Sequence, residues 1–245
     1  MEDVTVTFTR DDEIEASVLI EGLPGIGHVG KLVAEHLIHE LEAEKIGEIS
    51  SIYFPPQVVV DERGVAHLVN NEIYRCDKNG LAILFLVGDF QSTSAEGHYI
   101  LTECYLDIAQ DLGVRRIYTL GGYGVGHLVE NPRVLAAVNM ERLLSEVEGA
   151  GGAFEGGGMI VGASGLLLGL GFARGIEGVC LMGETSGYIV DPRSADNLLT
   201  VLSCLLGIKV DHTLLQQRAE EMERIIAKIQ ETEEARGRED LTYIG

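Results

Sequence analysis

Glycines, histidines and acids at short spacings supply the chemical candidates of this chain. Gly25-x-Gly27-x-x-Gly30 follows a β-branched run and opens an amphipathic segment. A strand, a glycine turn and a helix in that order frame a dinucleotide-binding loop, whose free N–H groups receive a pyrophosphate. Three features oppose that use here. Pro24 stiffens the turn, His28 and Val29 put bulk inside it, and the next strand ends Tyr53-Phe54-Pro55-Pro56-Gln57 without the acid a ribose needs. Lys31 suggests a phosphate-cradling loop, but Leu32 stands where a hydroxyl would hold magnesium. The residues therefore predict a packing role. The glycines of 22–30 let a helix cross closely on a sheet and help build a contact between copies of the chain, and Lys31 is a solvated or interface lysine.

Other residues suit other chemistry. His36-x-x-His39 could share one helix face as zinc ligands, but no Cys or Asp cluster accompanies them, so a surface pair is expected. Ser164 sits in Gly162-Ala-Ser-Gly165, which lacks the last glycine of a nucleophile elbow and is expected to be a turn. Asp89, His127 and Glu184 each follow a strand, where α/β proteins place functional side chains. With Gly25, Gly27 and His28 they could line a polar loop pocket; turn caps and subunit contacts account for the same residues. No metal or cofactor is expected.

The elements that position these residues read as follows. Strands are expected over 4–9, 17–21, 46–54, 116–120, 134–138 and 178–183, with hairpins over 58–69 and 72–87. Helices are expected near 28–41, 96–112, 140–147 and from Asp191-Pro192 to about 206. Gly121–Gly126 reads as a second glycine loop. Met159–Ala173 is apolar but glycine-interrupted and shorter than the roughly 20 residues of a membrane span, so it reads as a buried core segment and no membrane partner is expected. Strand–helix alternation with interposed hairpins predicts an α/β domain with a mixed sheet over 1–207. An amphipathic helix is expected over 208–235, with Leu215, Met222, Ile226 and Ile229 on one side, and a tail over 236–245.

Composition narrows the partners. With 39 acidic against 18 basic residues the net charge is −21, which repels nucleic-acid backbones. The four cysteines show no C-x-x-C spacing and no secretory leader is read, so a reduced, cytoplasmic setting is expected. Aromatics are few and tryptophan is absent, leaving aliphatic side chains to fill the core.

Several segments together resemble a known family. "GLPGIGHVGKLVAEHLI", "FPPQVVV", "YTLGGYGVGH", "GASGLLLG" and "GVCLMGETSGYIVDPRSA" occur in the order found in the archaeal branch of the proteasome assembly chaperone family, over about 15–230. The resemblance implies a three-layer, phosphorylase-like α/β fold and self-association into a homo-oligomer. It also implies a non-enzymatic chaperone or adaptor of 20S proteasome α subunits. Some archaeal members dock a C-terminal hydrophobic–Tyr–any-residue motif on the α-ring. Here Tyr243 is third from the end, with Thr242 before it and Ile244 and Gly245 after; the register differs by one, and Leu241 or Ile244 would supply the apolar contact. The alternative is a phosphorylase-like enzyme or sensor that binds a small molecule or nucleotide through the glycine-rich loops.

Overall fold

The computed structural model describes residues 3–9, 14–222 and 224–225. The chain order is β1 (Val4–Phe8), β2 (Val18–Glu21), α1 (Val29–Glu40), β3 (Glu44–Ser51), β4 (Val58–Val60), β5 (Ala66–Leu68), β6 (Asn71–Lys78) and β7 (Leu81–Gly88). Then follow α2 (Ala95–Asp111), β8 (Arg116–Gly124), β9 (Val134–Val138), α3 (Leu144–Gly149), α4 (Gly162–Ala173), β10 (Glu177–Thr185) and α5 (Pro192–Leu206). Residues 213–222 form a further helical stretch.

Eight strands make one mixed sheet in the order β1-β3-β6-β7-β2-β8-β10-β9. The inner four, β7, β2, β8 and β10, run parallel, and antiparallel strands flank them on both sides. β4 and β5 form a separate two-stranded sheet.

Alternation along β2 shows how the sheet is covered. Ile20 points to one face, where α1 and α5 lie with Val33, Leu37, Leu198 and Leu202. Leu19 points to the other, where α2 and α4 bring Leu101, Leu106 and Leu167. The strands are buried on both faces, and so near-continuously apolar. This is the expected α/β architecture: a large mixed sheet with helices on either side.

The start of α5 follows from its first two residues. The Asp191 carboxylate accepts from Ser194 N at 3.0 Å, and Pro192 occupies the first turn, where its missing N–H matters least. Asp191→Ala is expected to lower stability by about 1 kcal/mol, read from the urea midpoint at constant m-value.

Four local expectations change. Gly121–Gly124 is strand, not loop: β8 runs on beside β10 to the Gly124–Thr185 pair. Met159–Ala173 is not a buried segment, because Met159 is 92% exposed and only one side of α4 faces the core. His36 and His39 are not a surface pair: His36 is buried, with Nε2 2.6 Å from the Asp211 carbonyl, while His39 is exposed. The strand expected over 46–54 lies at Glu44–Ser51, since the chain turns before Pro55-Pro56.

Of the C-terminal helix, Leu215 is buried and Met222 half-buried. Ile226, Ile229 and the tail residues Leu241, Tyr243, Ile244 and Gly245 lie outside the described residues.

Candidate functional site

The parallel strands end along one edge of the sheet, and the loops after β2, β7, β8 and β10 gather there. The glycine turn after β2 is shaped by contact. A β-carbon on Gly30 would lie 2.1 Å from the Leu120 carbonyl oxygen, so only glycine lets α1 rest on β8. Gly27 has φ +63°, a left-handed conformation that reverses the chain into the helix, and its carbonyl accepts from Asp191 N at 2.9 Å. The turn thereby ties β2, β8 and the start of α5 together, which is the packing role expected of these glycines. Lys31 is not free in solvent: Nζ donates to the Gly88 carbonyl at 2.9 Å, closing the end of β7.

Beside this turn a cavity of about 550 Å³ opens between the 23–26 loop, the end of β8 and the start of α4. Gly25, Ile26, Gln91, Gly122, Ser164 and Cys180 line it. Gln91 joins two of its borders: Nε2 donates to the Pro24 carbonyl at 2.9 Å and Oε1 accepts from Ala163 N at 3.0 Å.

Under the cavity lies an acid that the sequence reading passed over. Glu21 ends β2 fully buried; Oε1 accepts from Leu23 N at 3.0 Å and Oε2 from Ser164 Oγ at 2.8 Å. Burial raises its pKa from 4.5 to about 7, against the lowering effect of those two bonds. Glu21, Thr119 and Cys180 sit in register on β2, β8 and β10. Burial also pushes the Cys180 thiol up to about 12, which removes its thiolate reactivity. Ser164 is therefore not in a glycine turn. It stands in the first turn of α4 and staples that helix to β2 through Glu21. The only sequence signal was an acid closing a β-branched run.

Of the other expected loop residues, His127 comes near enough to Glu184 to help lower its pKa, but neither reaches this cavity. Gly25 lines the cavity; Gly27, His28, Asp89, His127 and Glu184 lie outside its lining. Asp89 braces the approach to β6, its carboxylate accepting from Asn70 N at 3.3 Å and its own N–H donating to the Asn70 carbonyl at 3.1 Å. Glu184 is held by Arg133, which donates from its backbone N at 3.0 Å and from Nη2 at 2.5 Å. That pairing lowers the Glu184 pKa, and Arg133 reaches on to Glu155 at 2.8 Å. His127 is exposed, with Nδ1 3.1 Å from the Leu128 carbonyl. Ile26, Tyr123, Met159, Val161 and Tyr188 stand exposed around the loops, an apolar rim suited to protein contact. Among the described residues no group of three or more His, Cys, Asp or Glu side chains is placed to hold a metal.

Comparison with known proteins places this arrangement. Residues 19–230 match the PAC2 family. The protein MJ1210 of Methanocaldococcus jannaschii is 40% identical over 244 residues, covering 96% of this chain and 94% of that protein. The crystal structure of Pyrococcus furiosus PbaB, described as an archaeal proteasome activator, superposes with a TM-score of 0.89 at 40% identity, covering 94% of this chain and 100% of PbaB. Pyrococcus furiosus PbaA, described as an archaeal homolog of proteasome-assembly chaperone, gives a TM-score of 0.81 at 28% identity, covering 99% and 98% of the two chains. The chain belongs to the PAC2 family, with archaeal proteasome-assembly-chaperone homologues among its structural relatives.

Proposed function

We propose that this protein is a non-enzymatic chaperone or adaptor of the proteasome, working in the cytoplasm as a homo-oligomer and binding 20S α subunits. The observation that carries the reading is its 40% identity, across nearly the whole chain, to a protein described as an archaeal proteasome activator. Three parts would share the work: a core over 1–207, a helix over 208–235 and a tail over 236–245. In the tail, Tyr243 fills a pocket on the α-ring, Leu241 or Ile244 adds apolar contact, and the terminal carboxylate pairs with a lysine. The cavity chemistry favours this reading over catalysis. The Ser164 hydroxyl donates to Glu21, Glu21 also accepts from the backbone N–H of Leu23, and Cys180 is a buried thiol.

The test is capture of archaeal 20S proteasome by the full chain and by a 1–240 truncation. Full-length protein is expected to capture it and the truncation to lose at least about tenfold in affinity, with an unchanged melting temperature. Equal capture by both forms removes the tail from the mechanism, and no capture by either removes the proteasome. The competing reading, a phosphorylase-like enzyme or sensor, is favoured only by the 550 Å³ cavity. Nucleotide or phosphosugar retained by purified protein would support it.

A further inference from the structure

The β4–β5 hairpin stands apart from the main sheet, joined only within itself through the Val58–Leu68, Val59–His67 and Val60–Ala66 pairs. A two-stranded sheet alone is marginal in water; a third layer or strand is needed to hold it. No described element supplies one. Leu68 is 71% exposed and Val60 59%, and Val58 shares their face across the ladder. Both outer edges of the hairpin carry unpaired backbone groups.

Beside it runs a groove of about 650 Å³ between the hairpin and the β1–β3 edge of the main sheet. Ile52, Phe54, Pro55, Val58 and Leu68 are among its lining, and none of its lining residues carries a charge. In a chain of net charge −21 such a surface is unusual. The segments 52–60 and 64–71 hold no Asp, Glu, Lys or Arg, and the charges of the hairpin are confined to its tip, Asp61-Glu62-Arg63.

We propose that this hairpin and groove form a two-fold interface with a second copy of the same chain. Two observations select that occupant. First, copies of charge −21 repel each other within a Debye length of about 8 Å, and that repulsion is least where both surfaces are uncharged. This surface meets that condition on both partners at once, whereas a basic partner would find nothing here to pair with. Second, a two-fold contact needs one patch that is complementary to itself. Here the exposed apolar face of the hairpin also lines the apolar groove, so each copy offers the other both parts of one continuous uncharged surface. The exposed hairpin edges then gain the neighbour they lack.

The inference names the surface of the self-association proposed above, and it is tested without proteasome, so its failure leaves the tail reading untouched. Full-length protein at tens of micromolar is examined by light scattering beside Leu68→Glu and Val60→Glu. Both side chains are solvent-facing, so unchanged far-UV circular dichroism is expected. Wild type is expected above monomer mass, and each variant to associate about 100-fold more weakly, because the new charge would be buried without a partner against the other copy's uncharged surface. For the unmodified protein, amides of 58–60 and 66–68 are expected to exchange more slowly at high than at low concentration. A monomeric wild type, variants that keep its mass, or concentration-independent exchange at the hairpin in a protein whose mass does change, each overturns the proposal.

Discussion

Glu21→Gln is expected to make the protein more stable at pH 8 and to leave it unchanged near pH 4. Burial holds the native carboxyl at about 7 against an ordinary 4.5. Between those values the native state binds a proton that the unfolded chain has released, so stability is fully present below 4.5 and falls as the pH rises through 7. The span amounts to roughly 3 kcal/mol. Glutamine carries no charge at any pH and keeps the geometry. Its carbonyl oxygen accepts from Leu23 N, and its amide donates to Ser164 Oγ once that hydroxyl rotates. The variant should therefore gain roughly 3 kcal/mol at pH 8, or about 6–12 °C in melting temperature for a chain of this size. Urea titrations of both proteins at pH 4, 6 and 8 check it, and their difference cancels the other carboxylates. Parallel stability curves would mean that Glu21 is charged in the native protein. An ionised acid under a cavity would then reopen the ligand reading of this edge.

Residues that act through their neighbours in sequence were the legible ones. Asp191-Pro192 announces the start of α5 because cap and first turn lie within four residues. The apolar runs of β7 and β10 announce buried strands because both faces are covered. Glycines 22–30 could be read as packing because the failures of the cofactor motif were all local. What stayed hidden depends on strand order. Ser164 reaches Glu21 across 143 residues, Lys31 reaches Gly88 across 57, and His36 meets Asp211 across 175. Each contact exists because β2 is inserted between β7 and β8, or because the chain after α5 returns over α1, and no local pattern states either. Composition misled twice. The apolar run 159–173 suggested a buried core segment, yet α4 turns only one side, with Leu167 and Leu168, inward. Glycines in 121–124 suggested a loop, yet this strand end passes so close to Ile26 that a β-carbon on Gly122 would lie 2.2 Å from its carbonyl oxygen. The candidate site was the least legible, since Gly25 alone among its expected residues lines the cavity.

Gly30→Ala is expected to be among the most damaging single substitutions in the chain, while Gly25→Ala is tolerated. The added carbon at position 30 meets Leu120 O at 2.1 Å, Leu120 C at 2.5 Å and Gly121 N at 3.0 Å. All three are backbone atoms of a strand hydrogen-bonded to β10 along its whole length, so none can rotate away. Relief requires α1 to lift by more than about 1 Å, since interiors are close-packed and an ordinary carbon–oxygen contact is near 3.4 Å. Lifting would part Val29, Val33 and Leu37, all fully buried, from Leu198 and Leu202 of α5. Overpacking against rigid backbone with loss of such contacts is expected to cost about 4 kcal/mol or more. At position 25 a β-carbon meets nothing within 4 Å, and φ −152° is extended backbone open to alanine, so a change within about 0.5 kcal/mol is expected. Thermal melts of the two variants separate the roles of the loop. If Gly30→Ala melts with wild type, the close crossing is not what these glycines are for. Gly25→Ala is the complementary probe: Gly25 lines the cavity and bears no packing load. A ligand seated there should be weakened by Gly25→Ala in a fully folded protein, whereas the proteasome capture proposed above should pass through the same change unaltered.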